Sequence, residues 1–372
     1  MLWLYGGGFE TGTIFSLASD VRYLAVLGDV VVVAVNYRLG PWGFLYAGTD
    51  DATGNMGLYD QQLGMKWIKE NIEQFGGDPN SVTIFGESAG SMSVGAHLLS
   101  PLAAGLFKRA IMQSGAPNSY LGTESKEKSM SKTKYLAEHL NCSTESGAAI
   151  VKCLKSKTSD EILHISKTAR GNGQSFEPIY GEELMPIEPL EALKKGKFLQ
   201  NIDLLFGTVS DEGALFVESL FPALSPEDKN PTITVSKAKQ YIQLMFMIFK
   251  EKYGSSVADF YVNGLKDSQK DLLRKAVGYG FGDYHIACPT VLFGRLYALY
   301  NKANRAFAYR LTHPPAIPVF PLCHGWMGVC HGDDVLILFG FPIKLRGITF
   351  TEDDYRLSVD MIKTWSTFAK TG

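Results

Sequence analysis

One pentapeptide constrains this chain more than any other stretch. Gly86-Glu87-Ser88-Ala89-Gly90 follows a short apolar β run, Val82 to Phe85, and leads into a small-residue helix pattern through Val94, Leu98 and Leu99. Strand, tight turn with a serine at its tip, then helix: that order suits a serine displayed on a strained turn, where only small neighbours avoid a clash. With 38 glycines in 372 residues, chance supplies about 0.3 such matches per chain. The motif therefore needs partners before it means chemistry.

The rest of the chain alternates strands with helices. Met1 to Tyr5 is strand-like and runs into Gly6-Gly7-Gly8-Phe9, a loop whose glycines leave its amides open to a ligand. Val30 to Asn36 is a nearly continuous β-branched run, expected as a strand covered on both faces. Leu58 to Phe75 is expected as a helix, with Leu63, Trp67, Ile68 and Ile72 recurring at helix spacing. Gly76-Gly77-Asp78-Pro79 ends it. Arg109 to Gln113 and Ile202 to Val209 read as further strands, the second ending at Ser210-Asp211-Glu212-Gly213. Glu124 to Leu154 is polar and mainly helical, Gly171 to Ser175 a flexible link, and Ser225 to Ala303 a mainly helical insertion. Ala306 to Leu311 alternates as a strand, and a long loop with Trp326 and His331 follows. Glu352 to Lys370 closes the chain as an amphipathic helix with Leu357, Met361, Trp365 and Phe368 on one face. The fold class is α/β: a mostly parallel sheet with helices on both faces and a helical insertion. Ligands of such sheets bind beyond the carboxyl ends of the strands, where the Gly-rich loop, Ser88, Glu212 and the His331 loop all fall.

Composition excludes more than it selects. A net charge of −2 gives no reason to expect nucleic acid or an anionic membrane surface as partner. No apolar run reaches the roughly 18 residues of a membrane span. No signal peptide precedes the first strand, and a domain seldom begins inside a central strand, so the chain is expected to belong to a longer protein. The five cysteines are Cys142, Cys153, Cys288, Cys323 and Cys330. Cys142 and Cys153 enclose a short loop and suit either a disulfide or two buried thiols. Asn141-Cys142-Ser143 is a glycosylation sequon.

A serine hydroxyl is a poor nucleophile at neutral pH. It needs a base within hydrogen-bond reach, and that base needs a carboxylate to orient it. Of seven histidines, His324 and His331 share the loop after the last strand, where this fold would need the base; position alone leaves both open. Asp211 and Glu212 share the right strand end, and spacing does not separate them. The oxyanion of acyl transfer needs backbone N–H donors, and Gly7, Gly8 and Ala89 are the natural suppliers. A phosphate cradle is disfavoured because no Gly-Lys-Ser/Thr follows the glycines. No Cys or His spacing suggests a metal site, and no cofactor is implied.

At this point the chain resembles the type-B carboxylesterase/cholinesterase family of α/β-hydrolases over nearly its whole length. The motifs that carry the likeness are Tyr5-Gly-Gly-Gly-Phe9, Asn36-Tyr-Arg38, Gly76-Gly-Asp-Pro79, Val82 to Gly90, Gln113-Ser-Gly115, Asp211-Glu-Gly213 and Trp326-Met-Gly-Val-Cys-His-Gly332. The resemblance implies a triad of Ser88, Glu212 and His331 and an oxyanion hole of Gly7, Gly8 and Ala89. It implies one domain over 1–372 that lacks N-terminal and C-terminal parts, and a secreted or extracellular protein acting on small-molecule esters, with room for a homo-oligomer. Cys142 and Cys153 match a family disulfide, and Cys288 a cysteine whose family partner lies beyond Gly372. Cys323 and Cys330 match no family role; they are either free or paired with each other.

Departures lie in the substrate pocket. The family's choline-stacking Trp would precede Met1. Leu215 stands where an aromatic contacts choline, although Phe216 follows, and Leu121 stands at an acyl-pocket Trp. Asn172 to Phe176 supplies the single aromatic Phe176, while Glu87 and Trp326 remain as pocket residues. Fewer aromatics mean weaker cation–π attraction, so the resemblance points to a general carboxylesterase rather than a cholinesterase. The fold also serves non-catalytic adhesion proteins, which generally lack an intact triad.

Overall fold

A computed structural model describes residues 1–16, 19–171, 175–248, 253–301 and 305–372. Its centre is a six-stranded, all-parallel sheet. The strands are β1 (Leu2–Leu4), β2 (Val33–Ala34), β3 (Thr83–Glu87), β4 (Arg109–Gln113), β5 (Asp203–Val209) and β6 (Ala306–Leu311). They lie in the order β6-β5-β4-β3-β1-β2. The elbow strand β3 therefore sits inside the sheet, with Phe85 opposite Trp3 on one side and Ile111 on the other.

Period-two alternation sends successive side chains to opposite faces. On one face Thr83, Arg109 and Gln113 meet the helix α7 (Glu352–Thr371): Thr83 and Arg109 donate to the Ala369 carbonyl, and the Trp365 indole donates to Gln113 Oε1 at 3.1 Å. On the other face the elbow helix α2 (Ala89–Leu99) lies over Met112. Helix α1 (Met56–Asn71) backs it through Gln61–Ser93 and Gln62–Ser100 hydrogen bonds. Helix α7 starts with a Thr351–Asp354 capping box and buries Met361, Trp365 and Phe368, each worth roughly 1.5–3 kcal/mol of transfer free energy.

Two sequence readings change. Val30 to Asn36 pairs only over Val33–Ala34, at the sheet edge, and its residues are at most half-buried rather than covered on both faces. A β-branched run reports strand preference but not whether a neighbour exists on both sides. Helix α1 turns Leu63 and Trp67 outward, 66% and 46% exposed, and buries Leu58, Met65 and Ile68. Gln61 completes that inner stripe because a polar side chain can be buried when it is hydrogen-bonded, here to Ser93 and His97. The link at 171–175 falls largely on 172–174, outside the described residues.

The helical insertion comprises α3 (Val235–Ile248), α4 (Gly254–Val262), α5 (Lys270–Gly282) and α6 (Cys288–Tyr300). Helices α3 to α5 have their own apolar cluster, built on Ile242, Met245, Leu273 and Val277, whereas α6 packs Phe293 and Tyr297 into the cluster around the sheet. Trp326, Met327, Cys323 and Cys330, from the loop after β6, belong to the insertion's cluster and not to the one around the sheet.

Candidate active site

Ser88 sits between β3 and α2 with φ 56° and ψ −123°, a conformation that a non-glycine residue holds only when its surroundings enforce it. They do so by close packing. A Cβ at Gly90 would lie far inside contact distance of the Leu4 carbonyl, and one at Gly6 would lie 2.9 Å from Ser88 Cβ. The strand β1 and the loop after it thus pass directly against the elbow. The Ser88 N–H donates to the Gln113 carbonyl at 2.9 Å, which ties the turn to the next strand.

In the glycine loop, the Gly7 carbonyl accepts from the N–H groups of Glu10 and Thr11 at 3.2 and 3.0 Å. A planar trans peptide then directs the Gly8 N–H the opposite way, away from that turn. Gly7 and Gly8 take φ of 115° and 62°, which only glycine adopts freely.

The residues expected as acid and base meet. His331 Nδ1 lies 2.6 Å from Glu212 Oε2, and the other Glu212 oxygen accepts the Val209 N–H at 2.9 Å. Both side chains are buried, and the Phe216 ring stands 5.1 Å from the imidazole. Asp211, which spacing left equivalent to Glu212, does something else. Its carboxylate accepts the Val329 N–H at 3.1 Å and pairs with Lys275 at 3.1 Å, so it binds the backbone of the base loop rather than the base. His324 stands apart in an exposed contact with Glu227. His97 and His285 are buried elsewhere, and burial pushes both down to about 3.

His331 Nε2 faces Glu87 Oε1 at 3.1 Å. No hydrogen bond joins Ser88 to His331 among the described residues, so Glu87 holds the place a nucleophile's hydroxyl would take. Burial pushes the Glu87 carboxyl up, to about 8. Burial also pulls His331 down, but the Glu87 charge and then the Glu212 hydrogen bond outweigh it, lifting the imidazole to about 9. The two groups titrate against each other, and the titration belongs to the pair. Glu87→Gln removes the carboxylate that raises the imidazole, so His331 is expected to lose its proton at lower pH than in the parent. An NMR titration of its ring protons checks this; an unmoved midpoint would contradict the pairing.

Leu121, Leu215 and Phe216 are partly buried against the insertion's cluster. Phe176 is fully buried, its N–H donating to Glu10; Asn172 to Gln174 lie outside the described residues. Trp326 is buried with its indole donating to the Leu224 carbonyl at 3.0 Å. A cavity of about 960 Å³ opens behind Glu212, lined by Tyr120, Tyr279 and Cys288 among others, and neither Ser88 nor these pocket residues line it.

Cys142 bonds to Cys153 and Cys323 to Cys330, while Cys288 is free. The sequence left the second pair open, and it carried no sign that Glu87 would reach Nε2.

The strained serine elbow, the glycine loop and the Glu–His pair at the carboxyl ends of one parallel sheet define an α/β-hydrolase site. The carboxylesterase family model matches residues 1–372, and the chain belongs to that family. It is 36% identical over 377 residues to the cholinesterase of Mus musculus and 33% identical over 377 residues to the acetylcholinesterase of Bungarus fasciatus. Both alignments cover 100% of this chain but 61% of each relative, so the chain spans about three-fifths of the length of these curated relatives.

Proposed function

We propose that the protein is a serine hydrolase of small-molecule carboxylic esters that works through an acyl-enzyme. The observation that carries this reading is the buried 2.6 Å contact between His331 Nδ1 and Glu212, set at the strand ends beside the Ser88 elbow. With Glu87 withdrawn from Nε2, His331 takes the Ser88 hydroxyl proton as Oγ attacks the acyl carbon. The N–H groups of Gly7, Gly8 and Ala89 receive the oxyanion; losing one such donor costs on the order of 10²–10³ in rate. Collapse breaks the bond to the alcohol, which leaves with the proton from Nε2. Water then repeats the sequence and releases the carboxylic acid. Glu212 holds the imidazole in its Nδ1–H tautomer.

Within ester hydrolysis, aliphatic Leu121 and Leu215 favour a general carboxylesterase. The relatives' names favour the second reading, a cholinesterase, with Phe216 and Glu87 near the site to receive a cation. Comparing kcat/KM for short aromatic esters and for choline esters separates the two. Aromatic esters are expected to win, and a strong preference for choline esters overturns the choice. The family match across all residues supports reading 1–372 as one α/β-hydrolase unit. Two disulfides support a secreted or extracellular setting, and no helix among the described residues is long and apolar enough to cross a membrane.

A further inference from the structure

The loop that carries His331 is closed on itself covalently. Cys323 and Cys330 are bonded across a sequence separation of 7, with Cα atoms 6.2 Å apart. Both are buried, at 4% and 0% exposure. Cys330 is the residue immediately before His331, so one end of the ring is the backbone that enters the base. The other supports of this stretch are the insertion's apolar cluster, which takes in Trp326 and Met327, and a set of hydrogen bonds. Asp333 accepts the Cys330 N–H at 2.7 Å through one oxygen and the Val319 N–H at 2.9 Å through the other. Asp211 accepts the Val329 N–H, and the Trp326 indole pins the middle of the ring to Leu224. Inside the ring, Gly325 and Gly328 take φ of 61° and 71°. Two glycines in so short a segment give it wide backbone freedom once it is opened.

We infer that the Cys323–Cys330 disulfide is a positioning device for the catalytic base, fixing the backbone that enters His331 so that Nδ1 stays on Glu212. The inference rests on the reading of His331 as the base of an ester hydrolase. It also gives the site a redox handle. A dithiol such as dithiothreitol supplies two electrons and two protons, the sulfur–sulfur bond breaks, Cys323 and Cys330 become thiols, and the reductant leaves as its cyclic disulfide. The ring then opens next to the base. Asp333 lies within 4.8 Å of both sulfurs, and its bonds to the Cys330 and Val319 N–H groups involve neither sulfur, so the fold around the loop does not depend on the disulfide alone.

The test compares three proteins: the parent, Cys323→Ala/Cys330→Ala, and Cys142→Ala/Cys153→Ala as a control whose disulfide lies away from the site. Two readouts are taken: steady-state hydrolysis of a short aromatic ester, and the low-field proton resonance of the His331–Glu212 hydrogen bond. In Cys323→Ala/Cys330→Ala, kcat is expected to fall about ten- to a hundredfold, the size of effect that follows from misplacing a reacting group by about 1 Å. KM is expected to stay within about twofold, and the resonance to broaden or vanish. The control keeps both. If the variant does not fold, the parent is reduced with dithiothreitol, with peptide mapping to show which bond opened; the same losses are expected and reoxidation restores them. Parent-like kcat and resonance in the variant or in the reduced protein overturn the proposal, as do free thiols at 323 and 330 in the oxidised parent. A parent that shows the resonance but hydrolyses no ester refutes the hydrolase reading instead, and the clamp is then judged on the resonance alone.

Discussion

Ser88→Ala is expected to remove ester hydrolysis almost completely, lowering kcat by about 10⁶, the scale seen when a triad serine is deleted. Without Oγ there is no acyl-enzyme, and water attacking directly keeps only the help of the oxyanion donors and of substrate binding. The structure makes this a clean experiment. Alanine retains the Cβ that already occupies the φ 56° turn, and the Ser88 backbone bonds to Gln113 and Met92 are untouched, so the melting temperature should barely move. A fluorophosphonate probe provides the direct check: it should label the parent stoichiometrically and Ser88→Ala not at all. Labelling that survives in Ser88→Ala sinks the assignment. A folded parent that takes no label favours the non-catalytic binding protein instead.

Glu212→Gln should cost about 10⁴ in kcat, although it changes a carboxylate to an amide of nearly the same shape. The reason lies in what each oxygen does. One accepts the Val209 N–H at 2.9 Å and the other faces His331 Nδ1 at 2.6 Å. In the glutamine variant the amide oxygen goes to Val209, because two N–H groups cannot share that bond. The NH₂ is left against His331 and demands an acceptor at Nδ1, so the imidazole proton moves to Nε2. A base protonated on the side that should receive the serine's proton cannot act. Measuring kcat and KM together tests this: kcat should collapse while KM changes little. A loss below about tenfold would show that Glu212 does not set the tautomer.

Much of this was legible in the residues, and each failure has a physical cause. The elbow strand and β4 could be placed from local pattern because a short apolar run closed by glycine has few alternatives, and β6 from its alternation. Helix α1 was legible as a helix but not in its facing. Leu63 and Trp67 are more apolar than Gln61, yet Gln61 is inside because Ser93 and His97 satisfy it, and those partners come from a later part of the chain. The same limit applied to Asp211 and Glu212. Adjacent carboxylates at a strand end differ only in what the fold brings to them, a loop backbone in one case and an imidazole in the other. The contact between Glu87 and Nε2 was illegible for the same reason, since its two partners are joined only by the folded sheet.

Ser88 is rooted in one core, and the loop that carries His331 in two. Ala89 and Met92, beside Ser88, pack in the cluster around the sheet, whereas around His331 the loop divides: Trp326, Met327 and Cys330 pack with the helical insertion, and Val329 and Val335 with the sheet. Regions with separate cores open with separate free energies. The protein therefore has two lifetimes. One belongs to the sheet, which keeps the serine on its turn and the molecule intact. The other belongs to the insertion, which holds the disulfide-closed part of the loop before His331. A hydrolase built this way is expected to lose activity when the insertion opens and to regain it without refolding the sheet.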